Sequence, residues 1–159
     1  MTEAAMEYVE EHLRILSGFY GILKPFDGVT PYRLEMQAKL AVNGHKDLYC
    51  FWGRRLYDHL LDADRVVVNL ASKEYAKCIE PYLTPQDRFL TVRFVYLTKG
   101  KARQKATAAK MAQGEMVRFM AENQICSLER IKEFQGMGFA YAKELSDQTT
   151  YVFAQEDTK

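Results

Sequence analysis

The chain has 159 residues, of which 48% are apolar, 13% aromatic and 27% charged, and its net charge is +1. Length and composition fit one domain over residues 1–159 with its own core, and they exclude a disordered chain. The balanced charge leaves no global electrostatic case for nucleic acid, so any basic footprint has to be local.

Taken in order, Thr2 is placed to cap a helix from Glu3 to Ser17, with Met6, Val9, Leu13 and Leu16 recurring at helical spacing. The start, MTEAAMEYVEEH, is acidic and lacks a signal-peptide core, and no apolar run approaches a membrane span. A cytoplasmic protein without a membrane partner is expected. Gly18 reads as the helix stop, and a second helical turn is expected from Tyr20 or Gly21 to Leu23. Asp27-Gly28 reads as a turn, and Tyr32 to Met36 as a strand. A helix is expected from Lys46 to Leu61, with Leu48, Trp52, Leu56 and Leu60 on one face.

Arg65 to Leu70 is a buried strand by its β-branched run. Ser72 caps a helix to Ile79. Phe89 to Thr98 reads as a strand, turning at Lys99-Gly100 into a return strand near Lys101 to Lys105. Thr107 to Gln124 is a long helix, and Ser127 starts a shorter one to Phe134. Two strands close the chain, Phe139 to Leu145 and Thr149 to Ala154. Helices and strands mix without βαβ alternation, so the class is α+β: a mixed sheet with several helices and a helix-hairpin-helix-like element.

Three places carry candidate chemistry. In "LSGFYGILK", Gly18 and Gly21 bracket a tight turn flanked by Arg14 and Lys24, and a helix start there would offer amide groups to a phosphate. Taken alone, Gly-x-x-Gly between apolar residues is more often plain turn chemistry. Arg33 and Glu35 share one face of the expected strand, either as a surface ion pair or as a cleft pair gripping a phosphate. Lys110, Gly114 and Arg118 lie four apart on one helix face, with Gly114 leaving a notch between two cations. From Lys99 to Arg118 there are six basic residues and one acid, Glu115.

Metal chemistry finds no support. His12, His45 and His59 have no ligand spacing, and no metal or cofactor is expected. Cys50, Cys78 and Cys126 form no Cys-x-x-Cys pair and read as reduced, buried thiols. The absence of a helical Glu-x-x-His argues against iron storage in the chain itself.

"HLRILSGFYGILKPFDGVTPYRLEM", "GHKDLYCFWG", "VVVNLASKEYAK", "AKMAQGEMVRFMAEN" and the final "GFAYAKELSDQTTYVF" resemble, in order and spacing, the YaaA peroxide-stress family. The resemblance implies a cytoplasmic protein that helps cells survive hydrogen peroxide, in part by restraining free iron. It also implies an α+β fold with a helix-hairpin-helix at Leu16 to Gly21, a positively charged cleft, and DNA binding. Lys110 and Arg118 match positions of that cleft; Arg33, Glu35, Asn69 and Ser72 match motif positions without an assigned role. The family usually begins with a further portion of about a hundred residues, a domain-sized length, so this chain is expected to be a truncated member. Gln113 stands where arginine is frequent, which removes one cation beside Gly114.

The expectation is a protein that binds DNA, double-stranded or distorted, without base specificity, through Arg14, Gly18, Gly21, Lys24, Arg33, Lys110, Gly114 and Arg118. The alternative is an enzyme acting on a phosphorylated or nucleic-acid substrate with Arg33, Lys110 and Arg118, and Glu35 as its catalytic acid or base or as a metal ligand.

Overall fold

A computed structural model describes residues 1–156, so the last three residues of the expected 1–159 domain lie outside it. The chain divides into two compact units, Met1–Glu11 with the residues from Leu90 onward, and His12–Phe89. The α+β class holds in both.

In the first unit, helix α1 (Glu3–His12) begins at Thr2, whose hydroxyl accepts the Ala5 N–H at 3.2 Å. Ala5 and Val9 are its buried positions. The Tyr8 hydroxyl donates to the Ile125 carbonyl at 2.6 Å and ties the helix to the chain beyond α5 (Ala106–Glu122). Along α5, Ala109, Ala112, Met116 and Ala121 are buried. The long strand β4 (Arg88–Thr98) alternates Leu90, Val92 and Phe94 into the core. It turns at Lys99-Gly100, both in the left-handed region, into β5 (Lys101–Arg103).

β4 also pairs in parallel with β8 (Thr150–Glu156), from Thr91 opposite Thr150 to Leu97 opposite Glu156. β8 pairs antiparallel with β7 (Phe139–Tyr141), and β7 with the two-residue strand β6 (Gln135–Gly136). Phe94, Phe134, Phe139 and Phe153 meet at centroid separations of 5.4–5.9 Å in the middle of this unit. The helix expected from Ser127 to Phe134 is a single turn, α6 (Leu128–Ile131).

In the second unit, several expectations are corrected. Helix α1 ends at His12 rather than Ser17, and no helix-hairpin-helix forms at Leu16 to Gly21. Strands β1 (Ile15–Ser17) and β2 (Gly21–Leu23) form an antiparallel hairpin instead, with Ile15 opposite Leu23 and Ser17 opposite Gly21. Leu16 and Ile22 pack against a cluster around Met36, Leu48, Leu56 and Ile79, which uses Leu16 as a strand residue.

The expected strand at Tyr32 to Met36 carries no ladder. The segment runs across the hairpin turn, so close that a Cβ on Gly18 would lie 2.8 Å from the Leu34 carbonyl oxygen. The expected helix over Lys46 to Leu61 is two helices, α2 (Leu48–Trp52) and α3 (Arg55–Leu60). They part at Gly53, which has φ +52°. Asp47 caps α2 by accepting the Cys50 N–H at 2.8 Å. Strand β3 (Val66–Asn69) forms within the expected run but is not the buried strand expected: Val66 is exposed, Val67 and Val68 are half-buried, and only Asn69 is buried. The short helix α4 (Lys73–Ala76) follows, ending three residues early.

Candidate functional site

The turn Ser17-Gly18-Phe19-Tyr20-Gly21 is built from inside. The buried Ser17 hydroxyl accepts the Phe19 N–H at 3.2 Å and the Tyr20 N–H at 2.9 Å, and also hydrogen-bonds the Tyr32 hydroxyl. Those two amides are therefore used within the turn. Gly21, at φ +82°, lies under Trp52: an added Cβ would come within 2.8 Å of the indole ring. The same indole donates its Nε1–H to the Gly18 carbonyl at 3.0 Å. Both glycines thus serve close approach, one by backbone and one by ring.

Beside this hairpin lies a groove of about 690 Å³, lined by Arg14, Tyr20, Ile22, Lys24, Asp27, Trp52, Arg55, Leu56 and His59. Three permanent cations share it with one carboxylate. That carboxylate, Asp27, accepts the Lys24 N–H at 2.7 Å and so closes its own turn. Arg55 donates Nε to the Trp52 carbonyl at 3.1 Å and Nη2 to the Phe51 carbonyl. Its guanidinium lies 4.8 Å from the Phe51 ring centre and 5.4 Å from that of Trp52. A guanidinium has five N–H donors, so after these two bonds it retains donors for a ligand.

Arg14 and Lys24, flanking the turn in the sequence, line this one groove. Trp52, Arg55 and His59 join them from α2 and α3, and sequence reasoning missed them. Trp52 reads as a core residue on an apolar helix face, and nothing in the spacing singles out Arg55. The only tryptophan of the chain, followed by Gly-Arg-Arg, was the signal available.

Arg33 and Glu35 lie in solvent, with side chains 93% and 59% exposed, and pair at 3.8 Å. Lys110, Gly114 and Arg118 belong to the other unit, on α5. All three are exposed. Arg118 bonds Glu122 at 2.9 Å through Nε, which raises its pKa further. Nothing lies within 4 Å of a Cβ placed on Gly114. A close-packed neighbour is therefore not the reason for that glycine.

The thiols have no activated member among those whose ionisation is perturbed. Burial, then the Glu74 carboxylate, pushes the Cys78 thiol up to about 11. The hydrogen bond to Asp47, then desolvation, raises Cys50. Both are protonated at neutral pH and poor nucleophiles. Among the described residues, no three His, Cys, Asp or Glu side chains are grouped to hold a metal ion. No helix among them is long and apolar enough to cross a membrane.

A protein-family profile described as peroxide stress protein YaaA matches residues 1–145. The chain belongs to that family. A UPF0246 protein of Agathobacter rectalis is 54% identical over 150 residues, covering 94% of this chain and 60% of the relative. One from Pediococcus pentosaceus is 50% identical over 157 residues, covering 99% and 62%. One from Desulfitobacterium hafniense is 54% identical over 149 residues, covering 94% and 59%. The chain thus spans about three fifths of the length of these curated relatives, and the YaaA-family match runs through the hairpin, the groove and α5 alike.

Proposed function

We propose that this YaaA-family chain acts in the cytoplasmic response to hydrogen peroxide by binding DNA through its sugar–phosphate backbone, without reading base sequence. The observation that carries the reading is the groove: Arg14, Lys24 and Arg55 converge there, and the one acid, Asp27, is engaged with its own turn. Cations of this kind hold phosphates and release counter-ions, and they position a duplex without specifying it. Glu35 lies in solvent beside Arg33, which favours binding over turnover.

The test is binding of a duplex oligonucleotide at several salt concentrations. Affinity falls steeply with salt and is the same for unrelated sequences. Lys24→Glu and Arg14→Gln each weaken binding and lower the salt slope by about one per lost phosphate contact. Binding unaffected by salt and by both substitutions overturns the reading.

A further inference from the structure

The groove has an aromatic neighbour that phosphate binding alone does not use. Phe19 is 58% exposed at the tip of the hairpin, and Tyr32 is 43% exposed beside it. Their rings lie 5.4 Å apart and tilted by 34°. Tyr20 contacts both edge-on, at 4.9 and 5.4 Å, and Tyr20 itself lines the groove. Singly exposed apolar side chains are ordinary, but three aromatic rings in mutual contact form one contiguous open patch, the kind of surface that can meet a partner.

The cluster is also rigid. Ser17 fixes the Tyr32 hydroxyl and the backbone under Phe19 and Tyr20. The Tyr20 hydroxyl accepts the Thr30 N–H at 3.0 Å. Rings already held in place lose little freedom on binding. A pair of open rings joined to a cationic groove by a shared tyrosine is the arrangement that single-stranded nucleic acid meets: phosphates follow the charge, and bases lie on the rings. A paired base inside a duplex is already stacked on both faces and offers none.

We propose that Phe19 and Tyr32 form a stacking platform for an unpaired base of a DNA strand whose phosphates lie along Arg14, Lys24 and Arg55. This rests on the groove reading and deepens it: the preferred substrate contains unpaired nucleotides. The platform is sequence-tolerant, because every base has a π face.

The experiment compares a single-stranded oligonucleotide with a duplex of equal length, using the full chain. Phe19→Leu keeps an apolar side chain and removes the π face. It weakens single-strand binding by about tenfold and leaves duplex binding unchanged, and Phe19→Trp restores the single-strand affinity. Phe19 is exposed, and an unchanged thermal melt of each variant shows that the hairpin is intact.

Single-strand binding unmoved by Phe19→Leu, or an equal loss on both oligonucleotides, overturns the platform. If Lys24→Glu still weakens the duplex in that case, the groove reading stands without it. No binding to either oligonucleotide overturns both.

Discussion

Trp52 donates its indole N–H to the carbonyl of Gly18 at 3.0 Å, and this single bond joins helix α2 to the turn of the hairpin. The ring then covers Gly21, where an added Cβ would meet it at 2.8 Å. One side chain thus holds the turn at both glycines and forms a wall of the groove. The hairpin owes its place to a residue more than thirty positions away.

Gly21→Ala is accordingly expected to be costly. The φ of +82° disfavours any side chain, and the added methyl enters the indole. Strain and overpacking together amount to about 2–4 kcal/mol. Trp52→Phe loses the bond to Gly18 and costs about 1–3 kcal/mol. Urea denaturation followed by circular dichroism measures both. In the Gly21→Ala protein the Trp52 emission also shifts to the red, since the indole is displaced; an unchanged midpoint and unchanged emission would contradict the packing.

Arg65 and Asp87 define a second pin in the same unit. Arg65 Nη2 lies 2.5 Å from Asp87 Oδ1, and the Asp87 side chain is 1% exposed. Burial alone would raise this carboxyl. The Thr84 N–H at 2.6 Å, the Tyr57 and Thr84 hydroxyls at 2.9 Å, and the Arg65 charge overcome that and hold it at about 2. The native pKa thus lies below the unfolded value near 3.9. Its contribution to stability is present above about pH 4 and is lost as pH falls through about 2. Denaturation midpoints recorded from pH 6 to pH 2 fall across that window. Asp87→Asn lowers stability at pH 6 and flattens the acid limb; an acid limb as steep as the parent's would show that Asp87 does not carry it.

The parts legible in the sequence were those whose signal is local. Lys99-Gly100 encodes a two-residue hairpin turn by itself, and β4 and β5 follow from it. The buried Ala109, Ala112 and Met116 repeat at helical spacing, so α5 was plain. The hairpin at Ile15 to Leu23 was not. Leu13 and Leu16 continue the helical spacing of Val9, and only the capture of two amides by Ser17 and the distant Trp52 turn that chain into strands. Tyr32 to Met36 failed for a related reason. Its alternation is real, with Met36 buried and Arg33 and Glu35 in solvent, but the segment is held by contact with Gly18 rather than by a ladder. Arg14 and Lys24 stand out in the sequence as the cations flanking the turn, and both line the groove although the turn is a β-hairpin. Arg55 and Trp52 reach it from separate helices, and no spacing rule connects them.

The thiols give a direct test of burial and charge. Cys78 is buried with its thiol pushed up to about 11, so it stays silent to an aromatic disulfide reagent at pH 8 while the protein is folded. Cys50 is exposed but raised by Asp47, and reacts more slowly native than unfolded. The native protein therefore titrates no more than two of its three thiols, and all three in denaturant. Rapid modification of Cys78 in the folded state would contradict its position in the core.

Gly114 separates two reasons for a glycine inside a helix. In the interior of α5 it costs about 0.8–1.0 kcal/mol against alanine. Its backbone is helical and open space surrounds the missing methyl. Gly114→Ala is therefore expected to stabilise the protein by about 0.5–1 kcal/mol, read as a higher urea midpoint. If the glycine is there to admit a DNA backbone between Lys110 and Arg118, the same substitution weakens duplex binding while it raises stability. Gly114→Ser, also small but polar, then weakens binding no more than alanine does. A more stable protein that binds DNA as tightly as the parent would show that Gly114 does not serve to admit a DNA backbone.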